Sequence, residues 1–129
     1  ELDNFLDNKM TNEEIIFTKN IIKSMSYSTV KKNGFPDLGE YQYAYHIVRE
    51  SDLLAAYDFD RCMIYDMYNL GNDINTAFDN ACNLFENRVW KHFDDGLFIT
   101  NFSKRNYIEL HVASVRRCDF WKKMIKKRL

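Results

Sequence analysis

The chain is 129 residues long, carries 18 basic and 19 acidic residues, and is 46% hydrophobic and 29% charged. That length predicts one domain with a buried core, and the composition excludes a disordered chain. A net charge of −1 excludes bulk attraction to nucleic acid or to a membrane surface. Four Gly and one Pro supply too little turn chemistry for a β sandwich or a disulfide scaffold, so the composition points to helix. No apolar run reaches the roughly 18 residues of a membrane span, and no signal peptide opens the chain. Cys62, Cys82 and Cys118 form no CxxC pair. They read as reduced core thiols in a cytoplasmic protein rather than as a zinc site or a disulfide frame.

Leu2, Phe5 and Leu6 predict a short opening helix. The next helix starts after Thr11, because Thr11 and Glu14 have capping-box spacing and Met10 and Ile15 that of a hydrophobic staple. Its apolar stripe runs through Ile15, Ile22 and Met25, with Thr18 between them and Ile21 beside them. Residues 26–40 contain the only Pro, Pro36, together with Gly34 and Gly39, and predict an irregular functional or connecting loop. Helix resumes over about 40–56, with Ala44, Ile47, Val48 and Leu54 expected to face inward. Phe59, Met63, Ile64 and Met67 mark another helix. Asn72 is expected to cap the next, which carries Ile74, Ala77, Phe78, Ala81, Leu84, Phe85 and Trp90. Residues 92–102 break the periodicity, with Gly96 as a helix stop. Ser103 is expected to cap a last helix whose inner positions are Ile108, Val112, Val115, Cys118 and Ile125. The sum is an all-α bundle of about five or six helices.

Candidate chemistry is sparse. His46, His92 and His111 show no HExxH or other close metal spacing and read as structural histidines. His46 and Asp52 lie about 120° apart on a regular helix at ~100° per residue, so they cannot share a metal on one face. Asp58 and Asp60 flank Phe59 as candidate helix caps, and Asp94 and Asp95 precede Gly96 as turn residues. Serine-hydrolase, P-loop and dinucleotide signatures are absent. The last helix ends on Arg116, Arg117, Lys122, Lys123, Lys126, Lys127 and Arg128. That run reads as a solvated face complementing the helix dipole, with docking to nucleic acid or lipid phosphate as the sharper alternative.

Two segments carry a resemblance. Met25-Ser26-Tyr27-Ser28, followed by Ile47-Val48-Arg49-Glu50-Ser51-Asp52-Leu53-Leu54, resembles the later part of HD-domain metal-dependent phosphohydrolases. There a Ser-aromatic-Ser stretch precedes a helix written roughly Ile-Val-x-x-Ala-Asp-x-Leu. Phe85-x-x-Arg88 through Leu97-Phe98-Ile99-Thr100 is similar to that family's closing helix, phenylalanine-x-threonine turn and long final helix. Together they cover most of the chain from about Thr11 on. The family builds its site from a His, a His-Asp pair and a later Asp, and the resemblance puts the later Asp at Asp52. It implies a divalent metal in the complete domain and a small phosphorylated substrate. Ser26, Ser28, Lys31, Lys32, Arg49 and Arg61 are then candidate phosphate contacts. A buried Asp52 would need such a cation, or a basic partner, to offset its desolvation.

This chain holds no His-Asp dipeptide, since His46, His92 and His111 are followed by Ile, Phe and Val. It also opens at Glu1 rather than Met. The expectation is therefore the C-terminal part of an HD domain, without catalytic metal or turnover on its own. An apolar groove left open would favour self-association or a missing N-terminal fragment. The competing expectation is a non-catalytic helical interaction module or degenerate HD relative within a larger assembly. A membrane is not expected as a partner, and nucleic acid is the least favoured one.

Overall fold

The computed structural model describes residues 1–126 and is all-helical, with seven α-helices, two short 3-10 turns and no strand among the described residues. No helix there is long and apolar enough to cross a membrane. Lys127 and Arg128, part of the basic run expected on the last helix, lie outside the described residues. The chain divides into two compact units at residues 49 and 50, inside one continuous helix.

In the first unit, α1 spans Leu2–Leu6 and α2 spans Asn12–Ser24. The capping box forms as the spacing requires: Glu14 N donates to Thr11 Oγ1 at 3.2 Å, and Thr11 N donates to Glu14 Oε2 at 2.7 Å. Two orphan amide donors are thereby satisfied at the helix start. The stretch expected to be irregular instead contains α3, Tyr27–Asn33, where Ser26 Oγ accepts the amide of Thr29 at 3.2 Å. Gly34 ends it with φ +73°, a left-handed conformation that a side chain would disfavour. The Ser cap was readable as a start signal, but proximity to Pro36 and two glycines masked a helix of only seven residues. Residues 34–38 do remain irregular.

Helix α4 covers Gln42–Ala55. Its inward stripe is not the expected one. Ile47, Val48 and Ala44 are exposed and Leu54 is only half-buried, while Tyr45, His46, Arg49, Glu50 and Leu53 are buried. The helix is thus rotated so that its polar residues go inside. Hydrophobicity failed as a guide because each buried polar group has a built environment that sequence periodicity does not report.

In the second unit, α5 spans Phe59–Asn69, α6 spans Ile74–Asn87 and α7 spans Asn101–Lys126. Asp58 caps α5 by accepting from Arg61 N at 3.0 Å. Asp73, not Asn72, caps α6, accepting from Thr76 N at 2.8 Å. Asn72 instead donates to the buried Asp66 at 2.9 Å, alongside Asn80 at 3.1 Å. The core is apolar here: Leu53, Tyr57, Phe59, Met63, Ala77, Phe78, Ala81, Phe85, Val89, Leu97 and Phe98 are buried. Phe59 sits 4.9 Å from Phe85 and 6.0 Å from Phe78 between ring centroids, tilted or edge-on as aromatic quadrupoles prefer. Trp90 lies in a 3-10 turn, Val89–Lys91, beyond the end of α6. Gly96, at φ +71°, turns the chain before the last helix, as expected of a stop.

Thr100, one turn earlier than the expected Ser103, starts α7: its Oγ1 accepts the Ser103 amide at 3.3 Å. Glu50 holds this start in place. Its carboxylate accepts from Ile99 N at 2.6 Å, from Thr100 N at 3.2 Å and from the Thr100 hydroxyl. Burial alone would push the Glu50 carboxyl up, but hydrogen bonds from Ser103, Thr100 and Ile99 together outweigh it and hold it below its ordinary value of 4.5.

A depressed folded-state value means that Glu50 stabilises the fold above the unfolded value and that this contribution is lost as pH falls through the folded one. Glu50→Ala should therefore cost about 3 kcal/mol at neutral pH by removing the acceptor of the part-buried Ile99 amide and of the buried Thr100 amide and hydroxyl. Its stability should also fall less steeply than wild type below pH 4.5. Urea unfolding at a series of pH values checks both. The Tyr57 hydroxyl is buried with no hydrogen-bond partner among the described residues. Tyr57→Phe should accordingly leave stability unchanged or raise it by about 1 kcal/mol, read in the same assay.

Candidate functional site

The candidate residues divide between the two units. Ser26, Ser28, Lys31, Lys32 and Arg49 belong to the first, Asp52 and Arg61 to the second. Ser26 and Ser28 come together, their hydroxyl oxygens 3.4 Å apart. Ser26 is nonetheless committed to its helix, with Thr29 Oγ1 at 2.6 Å as well as the Thr29 amide. Lys31 and Lys32 are exposed in the last turn of the same helix, so α3 places them at the opposite end from Ser26.

Arg49 is only 1% exposed. Its guanidinium donates to His46 Nδ1 at 3.1 Å and lies 4.6 Å over the Phe35 ring and 5.8 Å from that of Tyr45. Tyr45 OH in turn donates to the Ser24 carbonyl at 3.0 Å. A guanidinium enclosed by aromatic faces and an imidazole is a structural anchor, and it presents nothing to a substrate in solvent. The expectation that Arg49 contacts phosphate has no support from this environment.

Asp52 is exposed, contrary to the buried position considered for it. Glu50 and Asp52 are two positions apart, about 200° on a helix, so they point to opposite faces of α4. The inner carboxylate is thus Glu50, which the motif reading treated only as a neighbour of Asp52. Asp52 lines an open groove of about 240 Å³ together with Ala55, Asp58, Arg61, Cys62 and Tyr65. This groove brings together Asp52 and Arg61, the candidate residues of the second unit.

A larger groove of about 570 Å³ adjoins it, sharing Ala55, Asp58 and Arg61, and runs between the start of α5 and Leu110, Ala113 and Arg117 of α7. Asp60 and Arg117 form a bidentate pair there, with Nε–Oδ1 at 2.8 Å and NH2–Oδ2 at 2.8 Å, and Trp121 Nε1 donates to Asp60 at 2.7 Å. The Arg117 guanidinium first, helped by the Trp121 indole, holds the Asp60 carboxyl below its usual range, against an opposing effect of burial that is larger than the indole's contribution. Sequence reading missed this cluster. It took Asp60 for a cap and Arg117 for part of a solvated face, and nothing local links residues 57 positions apart.

The donor set does not fit a metal. Among the described residues no three His, Cys, Asp or Glu side chains are placed to hold an ion. His92 and His111 lie instead against aromatic rings, with ring centroids about 6 Å from Tyr57. One exposed carboxylate and one exposed guanidinium can bind or orient a charged group, but they supply neither a metal cage nor an activated nucleophile.

No protein-family model matches the chain, and no curated protein or solved structure is significantly similar to it.

An exposed Asp52, whose side chain has no hydrogen-bond or ion-pair partner among the described residues, should be replaceable at little cost to the fold. Asp52→Ala should keep its helical circular dichroism, and its stability should stay within about 0.5 kcal/mol of wild type in urea unfolding.

Proposed function

We propose that the chain is the C-terminal helical part of an HD-type metal-dependent phosphohydrolase acting on a small phosphorylated substrate, inactive by itself. One observation carries this reading: the two segments that resemble the family are joined, with Glu50 of the Ile-Val-Arg-Glu-Ser-Asp segment accepting from the Ile99 and Thr100 amides of the phenylalanine-x-threonine turn. The order of helix, turn and long final helix agrees with it. In this reading Asp52, two residues beyond that anchor, offers one carboxylate from an open groove, with Arg61 beside it for an anionic group. A divalent metal belongs to the complete domain, and its other ligands would have to come from residues outside this sequence. No chemical step is assigned to the chain alone.

A second reading, a non-catalytic interaction module within a larger assembly, draws on a different observation. The outer face of α5 exposes Ile64, Tyr65 and Tyr68, with Leu70 exposed just beyond its end and Tyr68 87% accessible. Apolar rows of that kind commonly mark a contact with another protein or a second copy.

The 129-residue chain should retain no stoichiometric Mn²⁺ after gel filtration and should not hydrolyse p-nitrophenyl phosphate. Stoichiometric metal, measured by mass spectrometry, would overturn that. In a longer parent carrying a His and a His-Asp pair upstream, Asp52→Ala should abolish metal-dependent hydrolysis while preserving helix content. Full activity of that variant removes Asp52 from the site, and a parent without any such activity leaves the interaction module.

A further inference from the structure

The second unit contains a pair of thiols that no part of the proposed function uses. Cys82 on α6 and Cys118 on α7 are 36 positions apart in sequence, yet their sulfur atoms are 3.7 Å apart, in van der Waals contact. Both side chains are half-buried rather than sealed, and both are reduced. A disulfide bond is about 2.05 Å long. Closing the gap asks for less than 2 Å of sulfur movement, within reach of side-chain rotation and a small shift of two helices that already touch.

We propose that Cys82 and Cys118 are a redox modification site, forming a disulfide that ties α6 to α7 when the protein meets a peroxide. The third cysteine, Cys62, has no sulfur partner of this kind among the described residues and stays outside the reaction. The two thiols are not equivalent. Cys82 is pushed up to about 12, by burial first and then by the Cys118 thiol and the charges of Glu86 and Asp79. Cys118 is also raised, by burial first and then by the charges of Asp119 and Glu86, but the hydrogen bond from Cys82 and, less strongly, the positive charge of Lys122 work against that rise. Cys118 is therefore the attacking sulfur, and Cys82 the resolving one.

The chemistry balances with hydrogen peroxide as oxidant. The Cys118 thiolate attacks one peroxide oxygen, the O–O bond breaks, and the leaving hydroxide takes up a proton to become water. Cys118 is then a sulfenic acid. The Cys82 sulfur attacks that sulfur, the S–O bond breaks, the hydroxyl leaves with the Cys82 proton as a second water, and the S–S bond forms. Two thiols have lost two electrons and two protons, and one peroxide has become two waters.

The cross-link would close a loop containing Trp90, the turn at Gly96 and the Glu50-bound start of α7. A tie across such a loop restricts mainly the unfolded chain. The oxidised protein should then melt several degrees higher than the reduced one.

The test is peroxide treatment of the full chain, alkylation of remaining thiols, and mass spectrometry with a non-reducing peptide map. The expected result is a monomer lighter by two hydrogens, a peptide linking residues 82 and 118, and one alkylated thiol, Cys62. Formation should accelerate as pH rises from 7 to 9, because both thiols start largely protonated. Cys62→Ser should keep the link and Cys118→Ser should lose it. Should a serine variant fail to fold, the wild-type map still decides. Sulfinic or sulfonic products without the link, a link through Cys62, or disulfide dimers in place of the monomer would each overturn the proposal.

Discussion

The second unit is organised around one buried carboxylate. Glu50 is 1% exposed, and an ionised group there is tolerable only because each oxygen is matched by donors it could not find elsewhere. Those donors are the amides and hydroxyl at residues 99 and 100, where the chain leaves an irregular stretch and enters α7. The exchange is reciprocal. The start of α7 has orphan amides and the positive end of a helix dipole, and Glu50 supplies the negative charge that both favour.

That arrangement matters because α7 buries few side chains of its own. It is 26 residues long, yet its fully buried members are two serines, Ser103 and Ser114. Leu110, Ile108 and Val112 are all exposed. Beside ring contacts such as Tyr107 stacked on Phe93 at 4.6 Å, the helix is attached by polar ties: Thr100 to Glu50 at its start, Ser114 to the Trp90 indole at 2.9 Å in its middle, and Arg117 to Asp60 further on. Polar ties are directional, so they set the rotation of a helix more sharply than an apolar stripe does, and each becomes a liability when one partner is removed. The first unit differs in kind. Its buried residues are few, and three of them are Tyr45, His46 and Arg49. Aromatic faces around a guanidinium do there what apolar packing does around Phe59 and Phe85.

The consequence along α4 is that two carboxylates of one helix meet different surroundings. Glu50 faces inward and is consumed by structure. Asp52, on the other face, is exposed and lines the groove it shares with Arg61. Carboxylates of the same segment thus have opposite fates because a helix turns about 100° per residue. The same rotation explains why Ile47 and Val48, the most hydrophobic part of that segment, lie at the surface.

Local rules were legible without coordinates. The Thr11 capping box, the Gly96 stop, the Asp58 cap, and the Ala77, Phe78, Ala81 and Phe85 stripe all follow from interactions that reach no more than four residues along the chain. The helical class followed from composition. What periodicity could not reveal was which polar residues go inside, since Glu50, Arg49 and Asp66 are buried only because donors or rings distant in sequence meet them. Tertiary structure alone decided the rotation of α4, the attachment of α7, the exposure of Asp52 and the contact of Cys82 with Cys118. Hydrophobic spacing reports the average cost of exposing a side chain to water, whereas each of these outcomes depends on a specific partner, and partners are brought together only by the fold.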